Sequence, residues 1–224
     1  MDARPALAVL GTGARVIDDA GNDLGAYPVP AGPAVRSLLR RAPPFVHGAV
    51  MMRREAYQRA GGYRDRFDAA QDYDLWRRLP ADAELDNLPD PLYAWRRHPR
   101  GVFTRARDRQ LFFAAVARAF ADERAATGRD SIELLARDRT PEELHARYHW
   151  RDRFARYLGE ALVREGRPAE ARRWLARAVG APRSAAGAAA WWAASFPMAL
   201  TPRARRAREA RAQGNGARAA AAGR

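Results

Sequence analysis

Residues 61–79 read GGYRDRFDAAQDYDLWRRL, and this stretch decides how the neighbouring segments are interpreted. Its glycine pair is predicted to end one element, because glycine readily takes the left-handed conformation that closes a helix. A polar turn follows, and a short helix is predicted to begin near Ala70. On that helix Asp72 shares one face with three apolar residues at i+3, i+4 and i+7, which are Leu75, Trp76 and Leu79.

The helix carries two carboxylates whose surroundings are predicted to differ. Asp74 is turned roughly 200° from Asp72 around the helix axis. It stands four residues before Arg78, so we interpret it as a solvated, ion-paired acid. Asp72 lies at the edge of the apolar face, where a charge is costly unless it is partnered or used in chemistry. An aspartate can equally stand there as a helix N-terminal cap, and the spacing alone leaves both interpretations open.

The composition indicates a folded protein of ordinary size. The chain has 224 residues, enough for one domain and an extension, and its hydrophobic content of 47% is sufficient for a packed core. It contains no cysteine, which excludes disulfides, thiolate metal sites and cysteine nucleophiles. No stretch reaches the roughly 18 uninterrupted apolar residues of a membrane-spanning helix, and no signal peptide is predicted. These features favour a cytoplasmic protein.

The formal charge of +14 is due to arginine, since all 40 basic residues are Arg. Guanidinium groups bind phosphate and carboxylate through two hydrogen bonds, which makes nucleic acid or an acidic lipid surface an alternative partner. The absence of lysine beside abundant alanine favours a genome-wide codon bias instead, so nucleic acid is not the expected partner. Seven of the arginines lie in residues 201–224, which we predict to be a basic, disordered tail.

Hydrophobic patterning predicts an α/β region followed by helices. Strands are predicted at residues 7–17, 45–52, 84–88 and 92–96, and helices at residues 35–41, 53–60 and 108–127. His47 falls in the second strand. A lone histidine in a core strand is either a hydrogen-bonded structural residue or a binding residue, and the pattern does not separate the two.

The chain after residue 127 is predicted to be wholly helical. Residues 158–179 are similar to one tetratricopeptide-type helical hairpin, which needs a neighbour to bury its apolar face. We therefore divide the chain into residues 1–127, an α-helical extension at residues 128–200 and the tail at residues 201–224.

An apolar segment near the C-terminus contains Trp191 and Trp192 and is followed by several arginines. This combination suits attachment to an anionic membrane surface, which would make the protein peripheral on the inner face of the membrane. A final helix that docks on the rest of the chain is the alternative.

The order and spacing of five segments resemble the acceptor-side half of the family 2 glycosyltransferases, over roughly residues 7–110. The segments are His47, residues 51–54, residues 61–63, residues 71–79 and residues 92–98. The resemblance implies a GT-A fold, of which this chain would hold the C-terminal part as a partial, Rossmann-like mixed sheet. It also implies an inverting enzyme that transfers a sugar from a nucleotide-diphosphate sugar to a hydroxyl of a glycan or lipid-linked acceptor.

The resemblance also assigns roles to individual residues. Asp72 matches the second acid of an acidic pair, which is the candidate general base in that family, while Gln71 stands where the family has glutamate. The substrate-binding candidates are His47, Gln71, Trp76, Arg96 and His98. The last two match a segment that closes over the donor diphosphate, with an exposed basic turn as the alternative.

One part of the family pattern is missing. Family members carry an Asp-x-Asp motif that holds a divalent cation, Mg²⁺ or Mn²⁺, against the sugar-nucleotide diphosphate, and no such motif precedes Leu7. Asp72-Tyr73-Asp74 has the right letters but matches the later helix, and His98 is the remaining metal-ligand candidate. The chain is therefore expected to lack the nucleotide-binding half and to have little or no transferase activity alone.

A second hypothesis belongs to another class of protein, a non-catalytic, basic, largely helical protein that binds nucleic acid or an anionic membrane surface. It predicts an affinity that falls steeply with salt concentration, because basic groups that neutralise phosphates release counterions. The enzyme hypothesis instead predicts that Asp72 is required for function.

Overall fold

The computed structural model describes residues 1–98, 101, 106–135 and 151–178. Strands in these residues are β1 at Leu7–Ile17, β2 at Asp23–Tyr27, β3 at Val50–Met52 and β4 at Glu84–Arg96. The helices are α1 at Pro33–Leu39, α2 at Arg54–Arg59, α3 at Gln71–Arg77, α4 at Arg107–Thr127, α5 at Arg151–Arg164 and α6 at Pro168–Leu175. Short 3-10 turns cover His47–Ala49 and Ile132–Leu134. The predicted α/β class is confirmed.

β1 is the central strand of a small mixed sheet. β4 pairs with it in parallel from Leu7 to Ile17. The other edge of β1 is shared by two antiparallel neighbours, β3 beside residues 9–11 and β2 beside residues 14–17. Val9 is completely buried, whereas every residue of β2 is exposed. The part of the sheet that carries β3 therefore faces the core and supports the segment that leads into α2.

β4 differs from the prediction of two separate strands. It runs without a break from Glu84 to Arg96, although Pro89 and Pro91 lie in its middle. The pairing with β1 shifts register there, so that consecutive residues of β1 face Leu88 and Pro91. Because proline has no N–H group to donate, an irregularity in the pairing is where a strand tolerates it.

The predicted strand at residues 45–52 is shorter in the structure. Only Val50–Met52 joins the sheet, and His47–Ala49 forms a 3-10 turn. A Cβ atom on Gly48 would overlap the hydroxyl of Tyr93, so this turn packs directly onto β4. The strand prediction was wrong for His47, which lies in the turn and is about half exposed.

The α3 helix provides the centre of the core. Tyr73, Leu75 and Trp76 are each at most 2% exposed, and burial of such side chains contributes roughly 1.5–3 kcal/mol apiece. The hydroxyl of Tyr73 donates a hydrogen bond to the carbonyl of Leu39 at 2.8 Å, which satisfies its polar end. The ring of Phe45 packs edge-on against Trp76 with 4.9 Å between the ring centres. Contacts with Leu39 and Phe45, which are distant in the sequence, therefore hold α3 in the core.

The α4 helix is more deeply enclosed than an amphipathic pattern predicts. The apolar residues at helical spacing within the predicted helix are all buried, namely Leu111, Phe112, Ala115, Val116, Ala119 and Phe120. Phe113, Arg118 and Glu123 are buried as well. The Arg118 guanidinium lies 3.8 Å from the centre of the Tyr157 ring. Glu123 accepts hydrogen bonds from the N–H and hydroxyl of Ser131 at 3.0 and 2.6 Å, so the buried charges have polar or aromatic partners.

A buried ion network joins the segment before α3 to the helix and to the residues after α4. Asp74 is 0% exposed and accepts hydrogen bonds from the Nε atoms of Arg64 at 2.9 Å and Arg78 at 3.0 Å. Nη1 of Arg64 also reaches both carboxylate oxygens of Asp130 at 2.9 Å, and Arg124 donates to the same carboxylate. The predicted pair of Asp74 with Arg78 is confirmed. The prediction of a solvated Asp74 is wrong, because Arg64 covers its other side.

Other arginines also serve the fold. Arg53 donates from Nε to the carbonyl of Leu7 at 3.0 Å and from Nη2 to that of Met1 at 2.9 Å. Arg78 donates from Nη2 to the carbonyl of Gly62 at 2.5 Å, which ties α3 to the glycine pair. Part of the basic charge is therefore used inside the protein, which weakens the hypothesis of a nucleic-acid partner.

The glycine pair ends α2 as predicted, with φ angles of 76° at Gly61 and 65° at Gly62. A Cβ atom on Gly62 would lie 3.0 Å from the hydroxyl oxygen of Tyr57, whereas one on Gly128, where φ is 80°, would have nothing within 4 Å. Alanine at either position is expected to cost roughly 1–2 kcal/mol for its left-handed backbone. We expect Gly62→Ala to cost more than Gly128→Ala, because Tyr57 must also move. Urea unfolding measures both losses, and equal losses would contradict the close approach of Tyr57.

The chain divides into two compact units, with the boundary between Leu158 and Gly159 inside α5. In the second unit, Gly159 lies so close to Leu175 of α6 that a Cβ atom there would require the leucine side chain to shift. Ala161 and Leu162 are buried in the same unit. The described part of this unit is a helical hairpin, and its tetratricopeptide likeness stays a prediction.

Residues 136–150 and 179–224 lie outside the described residues. The predicted membrane-attachment segment with Trp191 and Trp192 and the basic tail at residues 201–224 are among them, so these features and the domain limits stay predictions. None of the helices in the described residues combines the length and apolar character needed to cross a membrane.

Candidate functional site

Asp72 is the second residue of α3, just after an unusual backbone conformation. Ala70 has φ 54° and ψ 26°, a left-handed conformation that costs roughly 1–2 kcal/mol for a residue other than glycine. Oδ1 of Asp72 accepts a hydrogen bond from the N–H of Tyr73 at 2.8 Å. Its Oδ2 lies 3.9 Å from Nδ1 of His47. Helix capping therefore explains the position of Oδ1, whereas Oδ2 remains available to bind another group.

Burial makes Asp72 a weaker acid than an exposed aspartate. It raises the pKa of Asp72 above the usual range of an aspartate, and the charge of His47 opposes part of that rise. The side chain keeps 18% of its surface exposed, so a small group can reach it. A carboxylate with a raised pKa accepts a proton more readily than an exposed one, and a base is most effective when its pKa approaches the working pH.

His47 stands between Asp72 and Tyr63. Its Nε2 lies 3.1 Å from the hydroxyl oxygen of Tyr63, and its ring meets that of Trp76 edge-on at 6.3 Å between centres. Burial and the charge of Asp72 raise the pKa of Tyr63, which keeps the phenol protonated. A protonated phenol can donate to Nε2 of His47, and Nδ1 on the other side of the ring faces Asp72. His47 lies between the other two side chains, and it lines one side of a pocket together with Tyr63.

The pocket has a volume of about 260 Å³ and walls that are mostly aromatic and apolar. Its lining comprises His47, Val50, Met52, Arg54, Tyr57, Tyr63 and Trp76. Tyr57 and Tyr63 meet edge-on with 5.6 Å between ring centres, and Tyr63 is 45% exposed. Apolar walls with a few polar groups are typical of small-molecule sites, and the volume suits one small ring with its substituents.

The structure separates the predicted site residues into two groups. His47 and Trp76 lie beside Asp72, and Gln71 precedes it at the start of α3. Arg96 and His98 lie instead near the turn after β1. Nη1 of Arg96 donates to the carbonyls of Asp18 at 2.7 Å and Asp19 at 2.8 Å. Nε2 of His98 lies 3.5 Å from a carboxylate oxygen of Asp19. Residues 99–100 and 102–105, part of the predicted diphosphate loop, are outside the described residues.

A divalent cation is the cofactor that the family resemblance implies. No group of three or more His, Asp or Glu side chains in this part of the chain is placed to hold a metal ion. His98, the metal-ligand candidate, lies beside the carboxylate of Asp19. Protein sites for Mg²⁺ combine one or two carboxylates with water and substrate phosphate oxygens, and no chemical step is assigned to such an ion here.

Five of the seven pocket residues were not predicted as site residues, and three of these five carry polar groups. Tyr57 and Tyr63 form its aromatic wall, and Arg54 supplies a positive charge. Tyr63 follows the glycine pair directly and Arg54 ends one of the segments that carry the family resemblance, so both had a local signal. Tyr57 had no local sequence signal. Its ring contacts Tyr63 only because the glycine pair reverses the direction of the chain between them.

The buried setting of Asp72 predicts a dependence of stability on pH. Because the pKa is raised in the folded protein, the folded state holds this proton to a higher pH than the unfolded state does. Relative to Asp72→Asn, the wild type is therefore expected to lose stability as the pH rises from about 3.9, the usual aspartate value, through the raised pKa. Urea unfolding of both proteins across this range measures the difference, and a difference that is constant with pH would refute the shift.

Over 88 residues, the chain is 38% identical to a protein of Bacillus subtilis (strain 168) described as "Putative glycosyltransferase EpsE". The match covers 38% of this chain and 31% of that protein, so the chain spans about a third of the length of this relative. No family model matches the chain, and no solved structure matches it. The similarity supports a relationship with glycosyltransferases.

Proposed function

We propose that this chain is part of a glycosyltransferase that moves a sugar from a nucleotide-diphosphate sugar to an acceptor hydroxyl, with inversion at the anomeric carbon. The observation that carries the proposal is the setting of Asp72. One of its oxygens is fixed by Tyr73, the other is directed at His47 beside an aromatic pocket, and its pKa is raised by burial. The similarity to a protein described as a glycosyltransferase supports the same class of reaction.

Asp72 acts in this proposal as the general base. Its Oδ2 takes the proton of the acceptor hydroxyl as the hydroxyl oxygen bonds to the anomeric carbon. The bond from that carbon to the diphosphate oxygen breaks, and the diphosphate leaves with the electron pair. Proton transfer requires the hydroxyl oxygen within about 2.6–3.2 Å of Oδ2. An acceptor seated in the pocket beside His47 approaches the exposed side of Asp72.

The donor is bound by other groups in this proposal. Arg96 and His98 reach the leaving diphosphate, where positive charge offsets the negative charge that develops. This role requires both side chains to leave the turn at Asp18 and Asp19 that they contact. In this proposal the nucleotide and its cation are held by groups other than the described residues, and the chain alone is expected to transfer little or no sugar.

The partners in this proposal are a cytoplasmic nucleotide-diphosphate sugar and a glycan or lipid-linked acceptor. Such an acceptor belongs to the assembly of a cell-envelope polysaccharide on the inner face of the membrane. The arginines of residues 201–224 favour peripheral attachment there, because basic segments are drawn to anionic lipid surfaces.

The test compares cells of the source organism that contain or lack this gene. Membranes are incubated with a panel of radiolabelled nucleotide-diphosphate sugars, and labelled glycan and lipid products are separated. We expect one product that disappears with the gene and returns when the gene is restored, whereas the purified chain gives little product by itself. A full donor panel without any gene-dependent product would rule out the proposed reaction.

A further inference from the structure

The wall of the pocket beside Asp72 includes an arginine side chain that is not engaged in stabilising the fold. Arg54 is exposed on the pocket wall and makes no hydrogen bond or ion pair with any other residue in the described part of the chain. Its neighbour Arg53 is occupied by the carbonyls of Leu7 and Met1. Of these two adjacent arginines, Arg53 stabilises the fold and Arg54 lines the pocket.

The surroundings of Arg54 restrict what it can bind. The pocket walls are the rings of Tyr57, Tyr63 and Trp76 with apolar side chains of β3. Among the described residues of the lining, His47 is the other basic side chain. No carboxylate of the described residues lines the pocket, so none of them competes there for Arg54. A guanidinium group binds planar or tetrahedral oxyanions through two parallel hydrogen bonds. An anionic group attached to a small ring therefore matches both the charge and the walls.

We propose that this pocket selects an acceptor with an anionic group, held by Arg54 while the ring of the acceptor lies against Tyr63. The inference rests on the proposed function, because it identifies the pocket as the acceptor subsite. The anion is the carboxylate of an acidic sugar or the phosphate of a lipid-linked acceptor, both of which present oxygens to a guanidinium group. Arg54 also offsets the repulsion between such an acceptor and the negative charge of Asp72.

The binding test uses two matched pairs of probes with the purified full chain. Methyl β-glucuronide is compared with neutral methyl β-glucoside, and geranyl phosphate is compared with neutral geraniol. Isothermal titration calorimetry at low ionic strength gives each dissociation constant. We expect at least one anionic probe to bind roughly tenfold more tightly than its neutral twin, the equivalent of about 1.4 kcal/mol. The pair that shows the preference identifies the source of the anion.

Two variants connect the preference to this side chain. Arg54→Gln is expected to remove it, whereas Arg59→Gln is expected to keep it, because Arg59 carries the same charge at the other end of α2 and does not line the pocket. The proposal is overturned if neither anionic probe exceeds its neutral twin in the wild type, a comparison that does not depend on any variant. It is also overturned if folded Arg54→Gln retains the preference.

The outcome is separate from that of the transfer assay. Anion-selective binding through Arg54 without gene-dependent sugar transfer would retain the binding site and reject the reaction. Transfer that requires Asp72 without selectivity for anionic probes would retain the reaction and reject this inference.

Discussion

Replacement of Asp72 by asparagine is expected to lower sugar transfer by roughly 10²–10⁴-fold, which is the contribution of a positioned general base. Asparagine keeps the shape of the side chain and an oxygen that accepts the Tyr73 N–H, but it cannot take the proton of the acceptor hydroxyl. The measurement is the rate of gene-dependent transfer in membranes from cells whose own gene encodes Asp72→Asn. The amount of protein in each membrane sample normalises the rate.

The control for Asp72→Asn separates chemistry from folding. Because asparagine removes a partly buried charge, we expect this variant to be at least as stable as the wild type at neutral pH. Asp68→Asn makes the same chemical change in the same stretch at an exposed residue, one that pairs with Arg109 and lies outside the pocket. It is expected to retain transfer. A wild-type rate in Asp72→Asn would exclude this carboxylate as the base.

The sequence predicts α3 well because the signals that define it are local. The helix was expected to begin near Ala70 and begins at Gln71, and the pair of Asp74 with Arg78 depends on a spacing of four residues. The burial of Asp74 could not be predicted in this way. It depends on Arg64, which is itself oriented by Asp130, 66 residues further along the chain. The spacing of residues within one helix does not predict a contact with a residue so far along the chain.

The candidate site was predicted only where a motif pointed to it. His47 and Trp76 were named from the family resemblance, and the structure brings both beside Asp72. Arg96 was placed near a donor diphosphate by the same resemblance, but in the structure its guanidinium group bonds to backbone carbonyls of the turn after β1. The sequence does not indicate where a side chain bonds to a backbone carbonyl, because every residue type supplies that acceptor.

Asp72 and Asp74 are expected to give opposite results although only one residue separates them. Asp74→Asn is expected to lower the free energy of unfolding by about 3 kcal/mol, because it removes one partner of a buried ion pair. The loss lies at the lower end of the range of about 3–5 kcal/mol for such pairs. Arg64 keeps Asp130 as a partner, and Arg78 keeps the carbonyl of Gly62. Urea unfolding followed by tryptophan fluorescence measures the loss.

The matched control for Asp74→Asn is Asp23→Asn, which breaks the exposed pair of Arg15 with Asp23 at 2.8 Å. Exposed pairs contribute little, because water screens the charges and two mobile side chains must be ordered, so we expect no measurable change in stability. At a temperature where Asp74→Asn is folded, it is expected to retain sugar transfer, because Asp74 is fully buried and does not line the pocket. Equal stability losses in Asp74→Asn and Asp23→Asn would show that the buried network does not hold α3, and the geometry of Asp72 would then need another support.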